Sequence, residues 1–248
     1  MGKKYRKYRK KPAFSFLNCA LIVGIAYIIW TTFGSTILSN IHNIAETSSN
    51  HKVLTNPVST AILSCPKPEI SSLGLKVGIT HFKYSEATAS DLRIVDSNYP
   101  AVSQLHKDAF VAFKKMKVGA LKDNVTLEII SGFRSVEAQK WIIANKKRKG
   151  KTDDQIYLVT APDGHSEHHT GLALDVGGTV KDPLIPSFSD TNAGKWLSAH
   201  AHEYGFEFSF PESNFQKVSY EPWHLRFIGT EHAKKIFCFA RSQSNLQK

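Results

Sequence analysis

Between Pro12 and Ala45 the chain carries no Lys, Arg, Asp or Glu, and a basic block stands immediately before it: Lys3, Lys4, Arg6, Lys7, Arg9, Lys10 and Lys11. An uncharged, largely apolar stretch of this length reads as a membrane span. As a helix, residues 13–38 would reach roughly 39 Å at 1.5 Å per residue, enough to cross a hydrocarbon core of about 30 Å. The basic block belongs on the cytoplasmic side, so the remaining 200 or so residues are expected outside, in the periplasm or cell wall. A cleaved signal peptide shares the same charged and apolar order, but this run is long for one and no small-residue cleavage site follows it. The reading is therefore a cytoplasmic tail over 1–12, a single transmembrane signal anchor over 13–38, a Ser/Thr/Asn/Pro-rich linker over 39–68 and one domain over 69–248.

The net charge of +11 looks like a nucleic-acid signal until it is divided. Seven of those charges sit in the first twelve residues, leaving about +4 for everything else. No nucleic-acid partner is expected. A second basic run, residues 146–151, ends in a glycine-bearing segment after a helical pattern, where cations complement the helix dipole. Most such runs are solvated faces, with contact to an anionic envelope polymer as the functional alternative.

Periodicity supplies the elements of the domain. Residues 125–130 alternate and are β-branched, residues 172–176 alternate, and 206–208 and 223–227 read as short strands. Helical spacing is seen over 102–116, 136–148, 192–204 (closed by Gly205) and 231–240. Short strands mixed with helices predict an α+β domain, a small antiparallel sheet with flanking helices.

The chemistry concentrates in two segments. Ser166-Glu167-His168-His169-Thr170-Gly171-Leu172-Ala173-Leu174-Asp175 is followed some fifty residues later by Glu221-Pro222-Trp223-His224-Leu225-Arg226. His168, Asp175 and His224 make a three-ligand set suited to zinc with one position left for water. Glu221, near the last ligand but not needed as one, can serve as general base. On a strand, Ala173 and Asp175 share one face, which would turn Asp175 towards a cleft. Arg134, at the junction between the 125–130 strand and the 136–148 helix, can project there and stabilise an oxyanion.

These residues resemble the VanY-type zinc D-alanyl-D-alanine carboxypeptidases, whose signatures are S-x-H-x-x-G-x-A-x-D, a later E-x-W-H-x-R and an S-G-[FY]-R-S turn. The turn occurs here as Ser131-Gly132-Phe133-Arg134-Ser135, and the likeness covers about residues 90–240. It implies that zinc lies in a cleft on the sheet with His168, Asp175 and His224 as ligands, and that Glu221 is the base. It further implies Arg134 as the cation that binds and polarises substrate, and Ser166 as a residue near the substrate pocket. The expected reaction is removal of a terminal D-alanine from a peptidoglycan stem peptide. The alternatives are an endopeptidase cutting within that peptide and a non-catalytic zinc-containing wall-binding module.

Isolated histidines are poor ligand candidates, so His81, His106, His165, His200, His202 and His232 are set aside. His169 is set aside because adjacent residues of an extended backbone face opposite ways. Of the three cysteines, Cys19 falls in the apolar run, while Cys65 and Cys238 flank the domain and are expected to pair in an oxidising compartment.

Overall fold

The computed structural model describes residues 65–179 and 184–245. The tail, the anchor and nearly all of the linker expected from the sequence lie outside the described residues. Among the described residues no helix is long and apolar enough to cross a membrane.

The domain is α+β. Its centre is a four-stranded antiparallel sheet in the order β3 (Glu128–Ser131), β4 (Ala173–Gly177), β6 (His224–Phe227), β5 (Phe206–Phe208). A separate two-stranded ladder joins β1 (Leu92–Ile94) to β2 (Gln104–His106). The β4–β6 register pairs Asp175 with His224 and Ala173 with Arg226, while Leu174 pairs with Leu225. Alternation then sends Leu174, Leu225 and Phe227 into the main apolar core and turns Asp175, His224 and Arg226 to the other face.

The Lys107–Lys122 helix covers the apolar side, burying Ala109, Phe113, Met116 and Ala120. The 102–116 helix expected from spacing is thus displaced. Its first residues are taken by the ladder to β1, and His106 caps the helix start by accepting from the Asp108 amide at 3.3 Å. At the other end the helix runs through Gly119, where a Cβ would lie 2.0 Å from the Tyr204 hydroxyl. That glycine is a close-packing position.

Other boundaries moved for equally local reasons. The 125–130 strand starts only at Glu128, because the Val125 amide bonds the Ala120 carbonyl and belongs to the helix end. A register shift between Ile129 and Ser131 leaves Ile130 as the extra residue of a bulge and sets Ser131 opposite Asp175. The 223–227 strand starts at His224, whose amide bonds the Glu221 carbonyl across a Pro222-Trp223 turn. The 192–204 helix is α-helical over Asn192–His200 and tightens to 3-10 over Ala201–Tyr204. The last helix divides into Glu231–Ile236 and Cys238–Asn245 around the fully buried Phe237. The Val136–Arg148 helix has the predicted bounds, with Ser135 accepting from the Ala138 amide as N-cap.

Cys65 and Cys238 form a disulfide, as expected, closing a sequence separation of 173 residues. Closing so long a loop constrains the unfolded chain, an effect worth a few kcal/mol, about 3–5.

Candidate active site

The site forms where three backbone segments meet beneath the polar face of the sheet. Asp175 enters from β4 and His224 from the adjoining residue of β6, so strand pairing alone makes them neighbours. His168 comes from a 3-10 turn, Glu167–Thr170, which the Ser166 hydroxyl caps by accepting from the His168 amide at 3.3 Å. Ligand atoms of His168, Asp175 and His224 all lie within 4.8 Å of one another, and all three residues are buried.

Hydrogen bonds fix which ring nitrogen each histidine offers. His168 Nδ1 lies 2.7 Å from the Gly132 carbonyl, which can only accept, so Nδ1 carries the proton and Nε2 presents a lone pair to the site. His224 Nε2 donates to the Glu167 carboxylate at 3.0 Å, leaving Nδ1 towards the site. Gly132 is required for this arrangement: a Cβ there would fall 2.2 Å from the Gln104 carbonyl oxygen.

The donor set fits zinc. His168 Nε2 is 3.4 Å from Asp175 Oδ2 and His224 Nδ1 is 3.1 Å from Asp175 Oδ1. Tetrahedral ligands at about 2.0–2.1 Å from zinc stand about 3.3–3.4 Å apart, close to both histidine–aspartate separations. Both imidazoles also have the outer hydrogen bonds that orient metal-binding histidines.

Charge is arranged to match. Burial opposes charge on His224, but hydrogen bonds to Asp175 and Glu167 outweigh it and push the imidazole up to about 10. The same acidic surroundings that favour a proton on this ring favour a cation, and metal binding has to displace any proton held on Nδ1. Burial instead pulls His168 down, and Arg134 adds to that, against the opposing pull of Asp175. Asp175 would be raised by burial, yet the two histidines hold it far below the ordinary carboxylate range. Glu167 is likewise opposed by burial, but Arg226, His224 and the Ser209 hydroxyl bring it down to about 2.

Glu221 behaves differently from these acids. Its Oε2 lies 3.9 Å from His224 Nδ1, beside the cluster but beyond hydrogen-bonding distance. Burial pushes it up to about 7, with Asp175 and Glu167 adding to the rise and His224 opposing it. An acid that can change protonation near neutrality, next to a metal-ligand set, has the property a general base needs.

Arg134, Ser166, Glu221 and the three ligand residues line one cavity of about 510 Å³. Arg134 is held by two neutral acceptors, Nη1 donating to Gln139 Oε1 at 3.1 Å and Nη2 to Ser131 Oγ at 3.0 Å. His169 points elsewhere, with Nδ1 2.6 Å from the Arg134 carbonyl and Nε2 accepting from the Gly164 amide. It lies outside the cluster, and the reason differs from the extended backbone expected: on a 3-10 turn successive side chains are rotated by about 120°. None of His81, His106, His165, His200, His202 and His232 belongs to the ligand cluster.

Several residues that matter here were not singled out by the sequence. Glu167 bridges His224 and Arg226, the latter at 3.0 Å, and Arg226 also donates to Glu207 at 2.8 Å. Glu167 and Arg226 stand inside the two motifs, which was the available signal. Lys146 gave none. Read as part of a solvated basic run, it turns inward instead, donates to the Thr160 hydroxyl and lines the cavity. Its neighbour Lys147 behaves as expected, pairing at the surface with Asp153 at 2.9 Å.

Several known proteins resemble this chain. YodJ of Bacillus subtilis (strain 168) is 36% identical over 160 residues, covering 59% of this chain and 56% of that protein. A D-alanyl-D-alanine carboxypeptidase of Enterococcus faecium is 28% identical over 162 residues, 64% of this chain and 48% of the relative. The matched region thus spans about half the length of these curated relatives. Among solved structures, the LdcB LD-carboxypeptidase superposes with a TM-score of 0.55 at 30% identity, covering 65% of this chain and 79% of that one. Residues 102–230 match the VanY family, described as D-alanyl-D-alanine carboxypeptidase, and the chain belongs to that family.

Proposed function

We propose that this chain is a zinc-dependent carboxypeptidase that removes a terminal D-alanine from peptidoglycan stem peptides. The observation that carries the reading is the convergence of His168 Nε2, His224 Nδ1 and Asp175 on one point, with Glu221 adjacent and free of ligand duty. Zinc held by these residues supplies Lewis acidity, which polarises a carbonyl and brings the pKa of water towards neutrality. Glu221 takes the proton from the attacking water and returns it to the leaving amine. Arg134, its guanidinium fixed by Gln139 and Ser131, stabilises the charge that develops on the scissile carbonyl oxygen. The Ser166 hydroxyl accepts from the His168 amide, holding the His168 turn in place, and borders the cavity that receives the peptide. The uncharged run over 13–38 supports tethering to the cytoplasmic membrane, with the domain on the side where peptidoglycan is built.

Mass spectrometry of muropeptides after digestion tests this directly. The expected product lacks one terminal D-alanine, none forms after chelation, and zinc restores it. Internal cleavage would make the protein an endopeptidase, and unchanged muropeptides would leave only a binding module.

A further inference from the structure

The cavity faces two cations, Arg134 and Lys146, and the proposed chemistry occupies only one of them. Lys146 lies in the last turn of the Val136–Arg148 helix, on the wall of the same cavity as Glu221 and the ligand cluster. It is half-buried, whereas the lysines that follow it, Lys147, Lys149 and Lys151, are exposed. Its ammonium has three donor protons, of which Thr160 Oγ1 takes one. Turning a lysine away from water costs solvation, so an inward lysine calls for an anionic partner. Of the acids lining the cavity, Asp175 faces the two histidines and Glu167 is engaged with His224 and Arg226, which leaves Glu221 as the acid still to be shared.

A peptide cut at its last bond brings two negative charges into such a cavity. One develops on the scissile carbonyl oxygen, and the other is the permanent carboxylate of the residue being released. A peptide cut internally brings only the first. We propose that Lys146 binds the free C-terminal carboxylate of the substrate and so restricts the site to terminal cleavage. This rests on the carboxypeptidase reading and assigns that specificity to a residue outside the family's motif positions. Arg134 is already directed by its own acceptors, which suits it to the carbonyl oxygen and leaves the carboxylate to the lysine.

The test uses a matched pair of peptides ending in D-Ala-D-Ala, one with a free carboxylate and one amidated. Wild-type protein should favour the free acid by about tenfold or more in kcat/KM, the size of one charge-assisted hydrogen bond. Lys146→Gln should lose that factor on the acid and change little on the amide, and Lys146→Arg should recover most of it. Equal losses on both peptides would mark a structural role, and no loss on either would leave the lysine idle; each overturns the proposal. Calorimetric binding of the two peptides to Glu221→Gln protein, with and without Lys146→Gln, separates this from the reaction itself. Acid-selective binding that depends on Lys146 without any D-alanine release by the wild type would sink the carboxypeptidase reading and keep the lysine's role. D-alanine release with binding indifferent to Lys146 would do the reverse.

Discussion

Strands β4 and β6 are buried on both faces, yet the faces hold opposite chemistry. Leu174, Val176, Leu225 and Phe227 pack into the apolar core, while Asp175, His224 and Arg226, displaced by one residue, build an ionic network with Glu167 and Glu207. Apolar burial favours folding by roughly 25 cal/mol per Å². Burying charges costs several kcal/mol per ion, which pairing offsets only where geometry and hydrogen bonding are good. The polar face is therefore a poor way to gain stability and a good way to fix orientation. Glu167 holds the His224 ring, and Arg226 holds Glu167.

If the two faces divide stability from chemistry, substitutions should separate them. The largest effect is expected from Glu221→Gln, a rate loss on the order of 10²–10⁴-fold for a missing general base. Zinc stoichiometry and melting temperature should be retained; wild-type turnover would mean that another group takes the proton. On the apolar face Leu174→Ala should cost about 2–5 kcal/mol in denaturant unfolding, with zinc affinity of the folded protein unchanged. Weaker zinc binding in that variant would show that the faces are not separable.

A smaller shift is expected from Glu167→Gln, which keeps the shape but loses the charge behind His224. Outer-sphere partners of this kind are worth about 10–100-fold in metal affinity, measurable by competition with a chelating dye. The same variant gives a pH signature in metal-stripped protein. Folding brings the Glu167 carboxyl down from 4.5 to about 2, so its stabilisation is complete above pH 4.5 and is lost as the pH falls through about 2. The destabilisation caused by Glu167→Gln should shrink across that window, whereas that of Leu174→Ala should stay constant. Parallel curves for the two would remove Glu167 from the ionic network.

Much of the site was legible because its residues fall in short motifs where local geometry already restricts them. Residue chemistry within the motifs, together with the resemblance they carry, pointed to His168, Asp175, His224, Glu221 and Arg134, and all five line one cavity. Alternation along β4 placed Asp175 on a face apart from Leu174 because the strand period is two whatever surrounds it. Lys146 was illegible because nothing in a run of lysines says which one turns inward; that depends on Thr160, brought across from another segment. The start of the Lys107–Lys122 helix was hidden for a similar reason, since Gln104–His106 are claimed by β1, a partner at a distance in the chain.

The sequence by itself determined the ligand types, the acid beside them and the two-faced alternation of the strands, all consequences of residue chemistry and backbone period. Only the tertiary structure decided that Asp175 and His224 are direct cross-strand neighbours, that Glu167 selects the His224 nitrogen facing the site, and that Lys146 shares the cavity. Those facts depend on strand register and on contacts between distant segments, which are set by packing the whole domain and leave no local mark in the chain.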